Sequence, residues 1–424
     1  MSPSNQPSGL SGGPSQLPLY LMGSAAWFGA FGIQTVVFTY ISAQVLALSG
    51  VYFALAQASF MLPALFLLLL GGAVAEHSDT RRLMVMAHLG AVVPPLFVAW
   101  LVASGTLTFV PLILAGLFMG TVSAFMLPAR EAMLARVLGT NEGAAIQRAV
   151  RFSLLAQFLA QVAGMAFARL ADKTGLEVML LIQAGLQLAG AAAAFMLLPA
   201  PSLLTNSAAG LRGQWVRIRE GLEQVRNSPS LLPITVLTFA IGVFFVGSFM
   251  VVLPIILRDD PNLGATVERV SSLQVSFWSG TILSTLAVGA FGEIARKGRL
   301  IVCAVGVGCV VLLGLSVPGP LWLFYALSFV WGLGAGVTLT MTRTIVQLDA
   351  PPTSRARVLS VYQMGFSGGL PLGSLLAGPI VEAVGGRGAT VTAALGMAFV
   401  VAVLVLRTKL WNLSHAPSLA ASKP

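Results

Sequence analysis

Long apolar runs, each ended by charge, proline or glycine, recur from one end of the chain to the other. A helix needs about 20 apolar residues to cross a bilayer. Twelve runs meet that length, at roughly 19–46, 50–74, 84–103, 107–127, 145–170, 176–198, 231–257, 270–292, 300–316, 320–342, 357–383 and 389–407. In hydrocarbon the backbone must satisfy its own hydrogen bonds, so these runs predict helices. The expected fold class is an all-α integral membrane protein with twelve transmembrane helices. Residues 1–18 are rich in Ser, Pro and Gly and carry no charged side chain, which predicts a flexible tail. That stretch lacks the basic start of a cleaved signal peptide, so the first run is expected to stay in the membrane. The longest polar stretch, 199–230, divides the runs six and six. The predicted organisation is an N-terminal half at 19–198, a linker at 199–230, a C-terminal half at 231–408 and a tail at 409–424.

Composition narrows the class. Hydrophobic residues make up 57% of the 424 and charged ones 9%. Soluble domains carry about 25% charged residues, so a water-soluble globular protein is excluded, and a disordered chain with it. Two cysteines cannot build a disulfide framework, and the three histidines, His77, His88 and His415, offer no metal-ligand spacing. No metal or cofactor is expected. No P-loop occurs. An enzyme would need a catalytic pair at a bilayer face, and His77 beside Glu76 and Asp79 is the nearest approach to one.

The basic residues are unevenly placed. With the N-terminus inside, cytoplasmic segments hold 19 of the 24 Lys and Arg side chains. This asymmetry predicts both termini in the cytoplasm. The net charge of +10 then lies against anionic inner-leaflet lipid, and no nucleic acid is needed to explain it. Within the linker, Leu211, Trp215, Ile218, Leu222 and Val225 step by four and three, opposite Arg212, Arg219, Glu220, Glu223 and Arg226. An amphipathic helix follows, either on the inner membrane surface or as a solvated linker.

The halves repeat. Residues 72–85 align without gaps on 289–302, with Gly72/Gly289, Ala73/Ala290, Glu76/Glu293, Arg82/Arg299, Leu83/Leu300 and Val85/Val302 identical. Gly116 and Gly120 match Gly332 and Gly336 at nearly the same offset. Two pseudo-symmetric six-helix halves are a transporter architecture, with a substrate site near mid-membrane.

These residues resemble the major facilitator superfamily. Segment 72–83 is similar to its loop 2–3 motif of a Gly, a small residue, an acid and then basic residues. Within the superfamily the chain resembles the bacterial branch of enterobactin exporters and macrolide-efflux-like proteins. That likeness rests on Gln57-Ala58 through Leu62-Pro63-Ala64, on Pro128-Ala129-Arg130, and on Arg355–Val358 through Pro371–Gly378. The resemblance implies a major facilitator fold and a monomeric secondary transporter of the bacterial inner membrane. It would export small amphipathic molecules (a siderophore, a drug-like compound or a metabolite) by alternating access. The alternative is a lipid or lysophospholipid flippase, or a facilitator, of the same fold. Expected partners are a small-molecule substrate, membrane lipid and protons as a coupling ion. The chain departs from the family where Glu76-His77 replaces Asp-Arg, where Phe31 stands at a position often acidic, and where span 5 has Gly164 but no Gly-Pro.

Loop 2–3 implies a conformational latch built from Glu76, Asp79, Arg81, Arg82 and Arg130, with Glu293 and Arg299 as counterparts in the second half. The same residues also read as positive-inside anchors. Arg148 and Arg151 share a face at the start of span 5, where they would meet an anionic substrate at the cavity mouth or snorkel to lipid phosphates. No Asp, Glu, Lys or Arg lies near the middle of any predicted span. Candidate cavity residues are therefore neutral: Trp27, Gln34, Gln157, Gln161, Thr238, Gln274, Trp278, Trp331, Tyr362 and Gln363. They suit an amphipathic ligand, or else hydrogen-bond between helices. Gly365, Gly369 and Gly373, four apart, predict close helix packing around Pro371.

Overall fold

A computed structural model describes residues 16–138, 143–199, 211–290, 294, 296–351 and 354–413. Within these helices the side chains of 68, 69, 73, 76, 77, 135, 143–151, 211–218, 355 and 356 lie outside the description. In chain order the elements are α1 (Gln16–Tyr40), α2 (Gly50–His77), α3 (Thr80–Ala103), α4 (Phe109–Leu138), α5 (Gly143–Ala168), the short α6 (Ala171–Thr174), α7 (Leu176–Phe195) and α8 (Leu211–Asn227). They continue with α9 (Leu231–Ala240), α10 (Leu253–Asp259), α11 (Val267–Ala290), α12 (Lys297–Leu315), α13 (Leu321–Asp349) and α14 (Arg355–Arg407). Wider π-type turns extend α1 through Ile41–Val45 and join α9 to α10 through Ile241–Val246 and Ser248–Val252.

Among the described residues eleven helices are long and apolar enough to cross a membrane. The last of them is two spans in one. Gly385 sits at φ 75°, ψ 166°, a conformation that breaks a helix and that a side chain would resist. The break falls between the predicted runs 357–383 and 389–407, so the helices provide twelve spans. Two of the boundaries that differ from expectation bear on the loop 2–3 and Arg130 residues. The fourth helix continues through Pro128 to Leu138, where the sequence pattern ended the run at 127. Proline is tolerated inside membrane helices when neighbours meet the freed backbone group. The third begins earlier, at Thr80, because Asp79 accepts hydrogen bonds from the backbone N–H groups of Arg81 (3.0 Å) and Arg82 (3.4 Å) and so caps it.

The chain forms two compact units. Unit 1 comprises the described residues of Met1–Thr35, Phe66–Leu107 and Leu114–Ser207; unit 2 those of Val36–Leu65, Thr108–Ile113 and Ala208–Pro424. In unit 1, α1 meets α5 where Gly32 faces the carbonyl of Gln161 and Gly164 faces that of Gly29; a Cβ at either would overlap the facing oxygen. In unit 2 the corresponding pair uses Gly242, whose added Cβ would lie 2.8 Å from the Gly369 Cα, and Gly373 against Val243. A second pairing also repeats. Gly71 of α2 abuts the Ala124 carbonyl of α4, and Gly280 of α11 and Gly332 of α13 abut the carbonyls of Phe329 and Phe277. Without a hydrophobic drive between helices in lipid, such close backbone approach supplies the packing energy.

Within unit 2, the turn between α1 and α2 is clasped by later elements. Glu382 of α14 accepts hydrogen bonds from the Ser49 hydroxyl (2.8 Å) and the Val51 N–H (2.9 Å), at the N-terminus of α2. Arg258 of α10 donates to the Leu48 carbonyl at 2.6 Å. A Cβ on Gly50 would lie 2.7 Å from the Gly378 oxygen. The amphipathic helix α8 packs on the start of α14 with Gly221 against the Arg357 carbonyl, and Glu220 pairs with the Arg357 guanidinium. Of the predicted apolar stripe, Val225 is buried but Leu222 is exposed; Leu211, Trp215 and Ile218 lie outside the described side chains.

Candidate functional site

Two polar groupings occupy the interior of unit 1. The first surrounds Arg130. Because α4 runs on past Pro128, Arg130 sits inside the helix and is 5% exposed, where the sequence pattern put it in a loop. Its Nη1 donates to Gln157 Oε1 of α5 at 2.9 Å, and its Nη2 to Glu131 Oε1 at 3.3 Å. The guanidinium lies over the Phe28 ring, 4.7 Å from its centroid. The Tyr20 hydroxyl is 3.5 Å from Ser153 Oγ and within electrostatic reach of Arg130.

The second grouping joins α1, α3 and α7. His88 is fully buried, with Nδ1 2.8 Å from Gln187 Oε1, a contact that puts the proton on Nδ1. Trp27 presents its ring to the imidazole at 5.5 Å, nearly perpendicular. Gly190 leaves the slot the imidazole fills, since a Cβ there would collide with the ring. One turn from Gln187, Gln183 Nε2 donates to Gln34 Oε1 at 3.3 Å. His88 Nε2 and Gln187 Nε2 have no hydrogen-bond partner among the described residues. His88, Gln183 and Gln187 were not among the predicted candidates. Their signal was present: two glutamines four apart on an otherwise apolar helix mark one polar face.

In unit 2, Trp331 is 2% exposed and ringed by Phe245, Phe249 and Phe277 at centroid distances of 5.5, 6.0 and 5.7 Å, all near perpendicular. Trp278 is half-buried and edge-on to Phe277 at 6.0 Å. The Tyr362 hydroxyl lies 2.8 Å from Thr342 Oγ1 and also bonds Thr238, all three buried. Gln274 is buried and Gln363 exposed. Gln161 is buried in unit 1, and its carbonyl receives Gly32.

Comparison with known proteins identifies the architecture. A family model described as transmembrane secretion effector, of the major facilitator type, matches residues 19–423. The chain belongs to that family. An uncharacterised major-facilitator-type transporter of Bacillus subtilis (strain 168), YwfA, is 31% identical over 102 residues, about a quarter (24%) of each chain. Among solved structures, the nucleoside transporter NupG superposes with a TM-score of 0.71 at 15% identity, over 92% of this chain and 98% of its own. A bacterial homologue of the human lysosomal transporter Spinster gives 0.69 at 13%, covering 96% and 99%. A transporter of the POT family in complex with 5-aminolevulinic acid gives 0.72 at 10%, covering 95% and 98%. These likenesses fix the fold as that of the major facilitator superfamily. The protein is a multi-pass membrane transporter of this superfamily, not an enzyme.

In this transporter the loop 2–3 residues divide. Asp79 caps α3 and lies 3.9 Å from Arg82 Nε. It is also an electrostatic neighbour of Arg136 at the end of α4. Arg81 stacks over the Phe195 ring at 4.7 Å, and Arg299 over Trp411 at 5.4 Å. Among the described residues Arg130 meets Gln157, Glu131 and Phe28. The side chains of Glu76, Arg148 and Arg151, and the whole of Glu293, lie outside the described residues.

Proposed function

We propose that the protein is a secondary exporter that moves small amphipathic molecules across the bacterial inner membrane by alternating access, as a monomer with both termini in the cytoplasm. The observation that carries this reading is the interior furnishing of the spans. Amides, hydroxyls and aromatic rings sit buried inside helices that are otherwise apolar: Gln34 with Gln183, Tyr362 with Thr342, and Trp27 beside His88. Such side chains hold a ligand through apolar contact and a few directed hydrogen bonds. The family's description as a secretion effector supports the outward direction. Asp79, Arg81 and Arg82, beside Arg136 and Phe195, are the loop residues of this reading whose contacts change as the protein switches state.

Untargeted mass spectrometry of medium and cell extract tests it, comparing cells that make the protein with cells that lack it. A compound enriched in the medium only with the protein present is the expected result. Depletion from the medium would reverse the direction. With both soluble pools unchanged, the exporter reading fails and lipid asymmetry between leaflets is the next measurement.

A further inference from the structure

We infer that Arg130 is a binding group for an oxyanion, so that the transported molecule carries a carboxylate or phosphate. This inference rests on the transporter reading and names the substrate class for it. The argument begins with charge. A guanidinium stays protonated at any physiological pH, and a cation taken out of water is stable only when paired or well hydrogen-bonded. The Arg130 side chain is 6% exposed, so it does not reach out to headgroups as a snorkelling arginine does.

Its partners among the described residues do not neutralise it. Gln157, its strongest hydrogen-bond partner, is neutral. Glu131 is the adjacent residue, at 3.3 Å, with its own side chain 71% exposed. An ion pair to so solvated a carboxylate is weak. Phe28 covers one face of the guanidinium plane and holds its orientation. Nε has no hydrogen-bond partner among the described residues.

A guanidinium has five N–H donors in a planar fork, and two are engaged by described residues. The remaining edge, Nε–H with a neighbouring Nη–H, matches the two oxygens of a carboxylate or phosphate. Gln157 and the stacked ring pre-set the fork, so little ordering is left for the ligand to drive. The Tyr20 hydroxyl, within electrostatic reach of the guanidinium and in contact with Ser153, adds a polar group for a third oxygen. Anionic amphipaths thus have a cation for the head, with the Phe28 ring beside it. This assigns Arg130 a different task from the latch expected of the loop.

The test uses the purified full chain in neutral detergent and reads the thermal unfolding midpoint. The probes are octanoate against octanamide, inorganic phosphate, and lysophosphatidylglycerol against lysophosphatidylcholine. Octanoate is expected to raise the midpoint and octanamide not. Arg130→Gln is expected to weaken octanoate binding roughly tenfold to hundredfold, the worth of a charge-assisted hydrogen bond. Arg130→Lys keeps the charge and should retain part of the discrimination. Each variant is its own reference, because the comparison is between two ligands on one protein, so a lowered baseline does not confuse the outcome. Discrimination through Arg130 shown by the lysolipid pair and not by octanoate assigns the oxyanion to a lipid headgroup; a shift with phosphate alone assigns it to a free anion. Equal shifts for octanoate and octanamide, with none for the other anions, overturn the inference, as does discrimination that survives Arg130→Gln. Binding in detergent needs no translocation. An exported neutral compound with no anion discrimination would sink this inference and leave the exporter reading standing.

Discussion

Unit 1 keeps an arginine, an imidazole and five glutamines (Gln34, Gln157, Gln161, Gln183 and Gln187) inside its helices, whereas unit 2 keeps chiefly aromatic rings and hydroxyls, with Gln57 and Gln274. Both units bring their helices together through the same glycine-to-backbone contacts. The repeat has therefore preserved the frame and let the furnishing diverge. Glycine contacts are set by backbone distance, and any side chain there breaks the pair. Interior polar groups need only be satisfied, so either half can exchange them without loss of fold. The polar interior of unit 1 is expected to serve ligand recognition, and the ring cluster of unit 2 to serve packing.

Four measurements would break or sharpen that contrast. The largest effect is expected at the shared frame. Gly332→Val drives a side chain into the Phe277 carbonyl and should cost about 4 kcal/mol or more, read as loss of the monodisperse peak on size exclusion. Gly72→Val, where a Cβ meets nothing within 4 Å, should leave the peak in place. If both variants behave alike, the frame is not held by close approach.

Next comes the ring cluster. Trp331→Ala should destabilise the protein by about 3–5 kcal/mol, as loss of a large buried side chain does, with the midpoint of thermal unfolding as readout. A smaller effect at Trp331 than at Arg130→Met would reverse the assignment of packing and recognition to the two units.

A smaller cost is expected at His88. His88→Ala leaves the Gln187 carbonyl oxygen without its donor and should cost about 1–3 kcal/mol. Pairing it with Gln187→Leu should recover part of that loss, because the orphaned amide is then gone. Losses that simply add would show that the two side chains do not act as a unit.

The smallest effect concerns pH. The Arg387 guanidinium, and the N–H of Asn262, hold the Asp260 carboxyl below its ordinary range. A depressed carboxyl pKa stabilises the folded state above the unfolded value, and that contribution is lost as pH falls through the folded one. Asp260→Asn should lower the unfolding midpoint from neutral pH down to about pH 4, the ordinary aspartate range, and the difference should shrink as pH falls further, through the depressed folded value. A difference that persists in stronger acid would mean that Asp260 acts through shape and not through charge.

The spans were legible because each is a long apolar run, and the fold followed from the repeat of Glu76, Arg82 and Leu83 in Glu293, Arg299 and Leu300. Arg130 was harder to place. Pro128 reads as a stop, and nothing local says that the helix goes on through it for ten residues more. The pairing of His88 with Gln187 spans 99 positions, and that of Glu382 with Ser49 spans 333. No local pattern reports such partners. Trp331 reads from the sequence as a cavity residue, but its three ring neighbours come from two other spans and only the fold assembles them. The stripe of α8 predicted a helix correctly, yet which residues it buries depends on Arg357 of α14, far along the chain.

Residues 36–65 precede the linker in the chain but pack with elements that follow it, tied by Glu382, by Arg258 and by the contact of Gly50 with Gly378. Synthesis order and packing order therefore disagree. While the ribosome is still making the linker, the end of α1 and the start of α2 wait in the membrane without their neighbours. A chain severed between 199 and 210 would leave that segment on the first fragment and its clasp on the second. Two such fragments, made together, carry in Ser49, Val51 and Glu382 the means to find each other, and either made alone lacks half of a contact that the whole chain completes last.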